Sequence, residues 1–202
     1  MKFTKILLQL IFALFITGCG LASQVQGSAA AKELAEEFAS IRKAPSVSFS
    51  EQAVYNKGME LTGKVIKVSD GDTVQVRDVT GRIYKIRFDG IDAPEKKQAF
   101  GNKATVTLRD CIYNKDVKVK VHDQDRYGRL VATIYHNNED INAKMLKEGM
   151  AWHYKAYNNR SDYAALENEA RRARRGLWYD KHPQAPWDYR KQQRMATAKK
   201  KS

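Results

Sequence analysis

Hydrophobic and polar residues change their period along the chain, and the changes predict short strands followed by helices. Three segments rich in β-branched residues come first, at residues 61–68, 73–77 and 83–88. The turn-forming sequences Ser69-Asp70-Gly71-Asp72 and Thr80-Gly81 separate them. The pattern therefore predicts a three-stranded meander. In its third strand Tyr84, Ile86 and Phe88 share one face, so Arg87 projects from the opposite face.

The pattern then switches to a helical period and back. Apolar residues spaced i, i+4, i+8 and i+11 predict a helix, with Phe100, Ala104, Leu108 and Cys111 on its core side. Alternating valines over residues 117–121 and a second apolar segment over 130–134 predict two further strands. Asp140 and Ser161 are placed to cap two final helices.

This order of elements predicts the fold class. Three strands, a helix, two strands and two helices indicate an α+β protein that is mainly β, with a five-stranded OB-fold Greek-key barrel and about three packed helices. We assign this domain to residues 59–190. From Arg190 to Ser202 the chain holds six basic side chains and no acidic one, so residues 191–202 are expected to form a basic, disordered tail.

The N-terminus has the features of an export signal. Lys2 and Lys5 precede an apolar run at residues 6–16, which is shorter than the ~20 residues that a membrane-spanning helix needs. The following Ile16-Thr17-Gly18-Cys19 resembles the bacterial lipobox. It implies a signal peptide at residues 1–18 and a mature lipoprotein whose Cys19 carries acyl chains such as palmitate. Cleavage after Ala22, releasing a free protein, is the alternative.

A lipidated Cys19 implies an exported protein anchored in the cell membrane or the outer membrane, facing the periplasm or the exterior. Residues 19–58 would then form a tether, and helical spacing within residues 29–43 predicts one helix there. We expect the chain to contact the membrane through the N-terminal lipid. The sequence indicates no protein partner, and we expect a monomer.

Composition narrows the chemistry. The formal net charge of +13 is compatible with polyanionic partners, either nucleic acid or anionic lipid headgroups, and equally with a merely soluble basic surface. With only two cysteines, Cys19 and Cys111, there is no disulfide framework. The four histidines are scattered, so no Cys/His cluster has zinc-binding spacing. A metal site would need oxygen ligands.

Three segments combine turn sequences with clustered charge. They are Asp70-Gly71-Asp72-Thr73, the stretch from Arg87 to Glu95, and Asp125-Arg126-Tyr127-Gly128-Arg129. Each alone is a common turn sequence, and an isolated arginine such as Arg87 or Arg129 would more often form a surface ion pair with Asp89 or Asp125. In this order and context they resemble the staphylococcal nuclease family. Gly176-Leu177-Trp178 and Pro186-Trp187 extend the resemblance over about residues 59–190, nearly all of the predicted folded domain.

The resemblance implies a calcium site. In that family Ca²⁺ lies between two aspartates and a backbone carbonyl, which fall here on Asp72, Asp92 and Ala93. The chemistry is consistent, because two adjacent carboxylates resist ionisation unless a cation separates them. Oxygen-only ligands suit calcium or magnesium, and it is the family that selects calcium.

The resemblance also implies a thermonuclease-type endonuclease, which is a phosphodiester hydrolase that does not discriminate between sugars. Glu95 falls on the position of the general base, which removes a proton from water. Arg87 and Arg129 fall on two catalytic arginines, whose planar guanidinium groups match the charged phosphoryl oxygens. In the family, in-line attack of water on DNA or RNA leaves 3′-phosphate ends.

Substrate contacts are implied for Arg126, Tyr127 and Tyr157, since aromatic stacking tolerates any base. Packing at the barrel rim remains an alternative for Tyr157. The competing function is a catalytically weak OB-type nucleic-acid-binding module on the membrane surface. A degenerate copy of this kind would lack some of the five charged site residues, and all five are present: Asp72, Arg87, Asp92, Glu95 and Arg129.

Overall fold

A computed structural model describes residues 57–200 of the 202-residue chain. The predicted signal peptide, the lipidation position Cys19 and the predicted helix in the tether lie outside the described residues. Within residues 57–200, no helix combines the length and the apolar character needed to cross a membrane.

The first three strands form the predicted antiparallel meander. They are β1 (Glu60–Asp70), β2 (Thr73–Asp78) and β3 (Ile83–Phe88). β1 pairs with β2 and β2 pairs with β3, both antiparallel. Asp70 lies opposite Thr73 in the register, so the turn that carries Asp72 joins two directly paired strand ends.

Two further long strands close the barrel. They are β5 (Asp116–Gln124) and β6 (Leu130–His136), and they give the strand order β3-β2-β1-β5-β6. β3 and β6 also pair, in parallel, and this contact converts the sheet into a closed five-stranded barrel. Three two-residue strands complete the pairing: β4 (Ile91–Asp92) with β8 (Trp152–His153), and β7 (Glu139–Asp140) along β6.

Helices cover the barrel. They are α1 (Gly101–Ile112), α2 (Ile141–Lys147), α3 (Ser161–Arg172) and α4 (Pro186–Lys199), with a 3-10 helix at Gly176–Tyr179. The predicted cap of α2 is confirmed, because the Asp140 carboxylate accepts a 2.9 Å hydrogen bond from the backbone N–H of Ala143. The predicted cap of α3 is wrong: Ser161 is its first helical residue, and Arg160 precedes it without a side-chain cap.

The barrel interior is a continuous apolar core. The inward residues of the strands are fully buried, among them Val65, Val74, Ile86, Val119 and Ile134. Complete burial of such a side chain contributes roughly 1.5–3 kcal/mol. α1 packs onto this core through the buried side chains of Ala104, Leu108 and Ile112. The predicted OB-fold class is confirmed.

The C-terminal segment differs from the expectation. Instead of a disordered tail after residue 190, helix α4 extends to Lys199. Pro186 occupies the start of the helix, where its fixed φ is favourable and its missing N–H costs nothing. The Trp187 ring stacks on Tyr154, with ring centroids 5.4 Å apart. Counting basic residues could not reveal this stacking, because Trp187 makes it with a distant part of the chain.

Candidate active site

Asp72 is fixed by the tight turn between β1 and β2. At the preceding Gly71, an added Cβ would lie only 2.7 Å from the Cβ of Ala93 and 2.8 Å from that of Ala104. Only glycine therefore lets this turn pack against α1 and the segment after β4. The close packing leaves Asp72 just 6% exposed.

The carboxylate of Asp72 is oriented by its neighbours. Its Oδ2 accepts a 2.7 Å hydrogen bond from the backbone N–H of Ala93, and its Oδ1 accepts one of 3.1 Å from Thr73 Oγ1. Ala93 is itself buried, directly after Asp92. The structure thus brings together the three positions that were predicted as calcium ligands.

Arg87 bridges the two aspartates. Its Nη1 forms an ion pair with Asp72 Oδ2, and its Nη2 donates a 2.8 Å hydrogen bond to Asp92 Oδ1. Asp92 is 1% exposed. Burial raises the pKa of Asp92, and the nearby guanidinium groups of Arg190 and Arg87 oppose that shift. For Arg87, burial would lower the pKa, but the charges of Asp72 and Asp92 raise it above its ordinary value.

Asp70 adds a further carboxyl group to this cluster. Its Oδ1 accepts a 3.2 Å hydrogen bond from the backbone N–H of Asp72. Burial, and then the negative charge of Asp72, raise the pKa of Asp70 to about 6. Asp70 is not among the site residues that the sequence predicts. Its raised pKa reflects first the burial of this carboxyl group and then the neighbouring charge of Asp72.

Glu95 lies three residues after Asp92, with its side chain 42% exposed. Its backbone N–H donates to Gln98 Oε1 at 3.1 Å, and its Oε1 accepts a 2.9 Å hydrogen bond from Arg190 Nη1. The predicted general base is therefore accessible to solvent and adjacent to the buried aspartates.

Arg190 is a site residue that the sequence analysis missed. From α4 its Nη2 donates to Asp92 Oδ2 at 2.8 Å, and its Nη1 reaches both Glu95 Oε1 and, at 3.2 Å, Asp92 Oδ1. These partners raise the pKa of Arg190, with Asp92 contributing most. The available signal was the Pro186-Trp187 pair, which marks a helix start that places Arg190 one turn further on.

Arg129 lies on the same outer face as Arg87. In the parallel β3–β6 pairing Arg87 is opposite Val131, and Arg129 precedes Val131 by two residues. Because side chains alternate along a strand, Arg87 and Arg129 both project outward, whereas Ile86 and Leu130 face the core.

The contacts of Arg129 nevertheless go elsewhere than to the buried aspartates. Its Nε donates a 2.7 Å hydrogen bond to Asp125 Oδ2, and its guanidinium carbon lies 5.7 Å from the Tyr127 ring centroid. Burial alone would raise the pKa of Asp125, but the hydrogen bond from Arg129 opposes this effect, and the pKa lies below its ordinary value. The ion pair with Asp125 that was considered for an isolated arginine is thus present, while Arg87 pairs with Asp72 and Asp92 rather than with Asp89.

The predicted substrate-binding residues form two groups. Tyr127 is 70% exposed, and the Arg126 guanidinium lies 5.1 Å from its ring centroid. Tyr157 is 76% exposed, and its ring centroid lies 4.8 Å from that of Tyr154. Tyr154 in turn stacks on Trp187. Both tyrosines present an aromatic face to solvent, as base stacking requires.

The acidic side chains of this cluster offer carboxylate oxygens, the ligand type that a hard divalent cation prefers. When all are ionised, the four carboxylates of Asp70, Asp72, Asp92 and Glu95 outnumber the two guanidinium groups of Arg87 and Arg190. Within residues 57–200, no three His, Cys, Asp or Glu side chains converge as a metal-binding group. A cation here would therefore need the Ala93 carbonyl or water in addition to carboxylate oxygens.

Fold and site together define an α+β protein with an OB-fold barrel. Outside the barrel core, arginines bridge acidic side chains, two of which are buried. The model of the family described as "Staphylococcal nuclease homologue" matches residues 85–180. This chain belongs to the family of staphylococcal nuclease homologues, because two bacterial relatives are similar to it over most of their length.

The first of these, a protein of Haemophilus influenzae named "Uncharacterized endonuclease", is 40% identical over 137 residues, which are 68% of this chain and 77% of the relative. The second, of the same name from Escherichia coli O157:H7, is 39% identical over 65% of this chain and 86% of its own length. The rice "Probable staphylococcal-like nuclease CAN2" is 46% identical over 66% of this chain, which spans only 34% of that relative.

Proposed function

We propose that this protein is a calcium-dependent, sugar-nonspecific endonuclease that hydrolyses DNA and RNA to products with 3′-phosphate ends. The observation that carries the proposal is the bridging of buried Asp72 and Asp92 by Arg87, with the accessible carboxylate of Glu95 alongside. Family membership and the names of the relatives support nuclease activity in general.

Glu95 is the proposed proton acceptor. Hydrolysis of a phosphodiester requires a water molecule to lose a proton as it attacks, and a carboxylate within hydrogen-bond reach can accept it. Glu95 is the most exposed carboxylate among those in contact with the buried cluster, so water and substrate can reach it. Asp72 and Asp92 are too deeply buried for this role.

The arginines are the proposed phosphate-binding groups. As water attacks, negative charge increases on the phosphoryl oxygens, and guanidinium groups stabilise it bidentately. Arg87 and Arg129 project from the same face of the closing strand pair, as this role requires. Arg129 uses Nε for Asp125, and its terminal amino groups remain suited to a phosphate.

Asp72, Asp92 and the Ala93 carbonyl are the proposed ligands of Ca²⁺. When bound, the ion would polarise a phosphoryl oxygen and orient the attacking water. It would also compensate the negative charge of Asp72, which, after burial, is the second cause that raises the pKa of Asp70 to about 6.

Arg126, Tyr127 and Tyr157 are proposed to bind the nucleic acid chain. Stacking on an exposed aromatic ring contributes ~1–3 kcal/mol per base and is independent of sequence, in agreement with a nonspecific nuclease. The net charge of +13 would add attraction to the polyanion that weakens with salt.

We further propose that the protein is exported and lipid-anchored through Cys19, from the lipobox-like Ile16-Thr17-Gly18-Cys19. Metabolic labelling with radioactive palmitate tests this. We expect label in the wild-type protein and none in Cys19→Ser, with Cys111→Ser as the matched control that keeps it. A mature N-terminus at Ser23 would contradict the anchor.

The decisive experiment incubates the full-length protein, purified in detergent, with plasmid DNA and with RNA. We expect cleavage in calcium, loss of cleavage in EGTA, and recovery when calcium is restored. Glu95→Gln should retain DNA binding while turnover falls by about 10²–10⁴-fold, whereas Glu148→Gln, at an exposed position, should cleave normally. DNA binding without cleavage in any metal would favour the alternative, a catalytically weak nucleic-acid-binding module on the membrane surface.

A further inference from the structure

Helix α4 places a third guanidinium group among the proposed catalytic residues. Arg190 donates to both carboxylate oxygens of buried Asp92, from Nη1 to Oδ1 and from Nη2 to Oδ2. Its Nη1 also donates to Oε1 of Glu95. Asp92 and Glu95 are close in the sequence, but Arg190 follows them by almost a hundred residues. Arg190 also lies outside the range 85–180 that the family model covers.

The segment before α4 makes a second link to Glu95. Gln98 Oε1 accepts from the backbone N–H of Glu95 at 3.1 Å, and Gln98 Nε2 donates to the backbone carbonyl of Gln184 at 2.6 Å. One side chain thus connects the Glu95 loop to the residues that lead into α4. The backbone and the carboxylate of Glu95 are therefore each connected to the C-terminal segment.

The docking of α4 has contacts of its own. Trp187 stacks on Tyr154 at an interplanar angle of 8° and meets Trp152 edge-on, at a centroid distance of 5.5 Å. Pro186 is buried at the start of the helix. These contacts fix the position of the helix. The Arg190 guanidinium is therefore held in place where it binds the carboxylates of Asp92 and Glu95, and it restricts their conformations.

We propose that Arg190 is a positioning residue of the active site that holds the Glu95 carboxylate in its working orientation against Asp92. The proposal rests on the proposed function, in which Glu95 accepts the proton. A glutamate side chain that is 42% exposed has several rotamers available. A guanidinium group that spans two carboxylates fixes the Glu95 side chain in one of these rotamers. A lysine ammonium lacks the planar fork and cannot do this in the same geometry.

The test compares Arg190→Ala and Arg190→Lys with Arg194→Ala, which removes the same charge one turn further along α4 at an exposed position. For Arg190→Ala we expect kcat to fall by about 10–100-fold. The KM for DNA should change by less than about threefold, because Arg190 contacts carboxylates rather than substrate. Arg190→Lys should recover only part of the loss, and Arg194→Ala should stay within about twofold of wild type.

A double-mutant cycle with Glu95→Gln provides the specific readout. If Arg190 acts through Glu95, Arg190→Ala should cost less than about twofold in the Glu95→Gln background. Full additivity of the two effects would overturn the proposal, and so would wild-type kcat in Arg190→Ala. Wild-type turnover in Glu95→Gln would instead refute the proposed role of Glu95. Urea unfolding in EGTA monitors folding, and if Arg190→Ala does not fold, the same cycle is run with Arg190→Lys.

Discussion

Arg129 is held by Asp125, four residues earlier in the chain, through a 2.7 Å contact between Nε and Oδ2. The other carboxylate oxygen of Asp125 accepts from the backbone N–H groups of Tyr127 and Arg129. A single side chain therefore shapes the turn and aims the arginine. An ion pair of this kind in a proposed active site preorganises a guanidinium group for phosphate, in addition to its contribution to stability.

This relationship predicts that Asp125→Ala lowers activity without removing any proposed catalytic group. We expect kcat to fall by about tenfold, because Arg129 would lose its fixed orientation. Arg129→Ala, which removes the group itself, should cost about 10²–10³-fold. Initial rates on plasmid DNA in calcium measure both. Asp116→Ala, at an exposed position in β5, is the control, and equal rates in Asp125→Ala and wild type would contradict the prediction.

The buried ion pairs of Arg87 predict that replacing it lowers the stability of the metal-free protein. Its guanidinium is the contact shared by Asp72 and Asp92, and all three side chains are at most 15% exposed. Arg87→Met leaves two buried carboxylates with less compensation, so the free energy of unfolding in EGTA should fall by about 3–5 kcal/mol. Urea unfolding measures the loss. Lys85→Met removes a charge from an exposed position on the same strand and should be nearly neutral.

How much of this site the sequence predicts depends on how far apart in the chain the contacting residues lie. Asp72, Asp92 and Glu95 lie in or beside turns, and alternation along β3 places Arg87 on the outer face. Local patterns therefore sufficed for these residues. Alternation also predicted the buried valines at 117, 119 and 121. The closing β3–β6 pair joins segments far apart in the chain, and its assignment came from the order of elements rather than from any local signal.

What sequence reasoning missed depends on contacts between distant segments. A run of basic residues from Arg190 onward favours disorder when its own composition is all that is considered. The stacking of Trp187 on Tyr154 and the ion pairs of Arg190 with Asp92 and Glu95 dock the first turn of α4, and the helix continues to Lys199 with exposed side chains. Likewise, the raised pKa of Asp70 arises from burial and from Asp72, and turn chemistry alone does not reveal that burial.

Asn142 predicts a second stability effect, away from the site. Its side chain is fully buried, and its amide accepts from the Ile134 N–H while donating to the carbonyls of Asp89 and Ala132. Asn142→Ala would leave three backbone groups without these partners, two of them in buried hydrogen bonds. We expect the free energy of unfolding to fall by about 2–4 kcal/mol, as measured by urea unfolding. Asn102→Ala, at an exposed position in α1, should change it by less than about 0.5 kcal/mol.

Asp70 predicts a pH dependence of stability whose sign follows from its raised pKa. In the metal-free folded protein this pKa is about 6, against an ordinary value of 3.8. The folded state thus holds the proton more tightly than the unfolded state does. The favourable contribution of protonated Asp70 is fully present below about pH 4 and is lost as the pH rises through about 6.

Asp70→Asn keeps an amide oxygen for the Asp72 N–H but carries no charge at any pH. In EGTA it should therefore be more stable than wild type by about 3 kcal/mol at pH 7. The difference should shrink steadily between pH 6 and pH 4. Urea unfolding at half-unit pH intervals measures this, with Asp116→Asn, at an exposed position in β5, as the reference. A stability difference that stays constant from pH 4 to pH 7 would show that Asp70 titrates alike in the folded and unfolded chain.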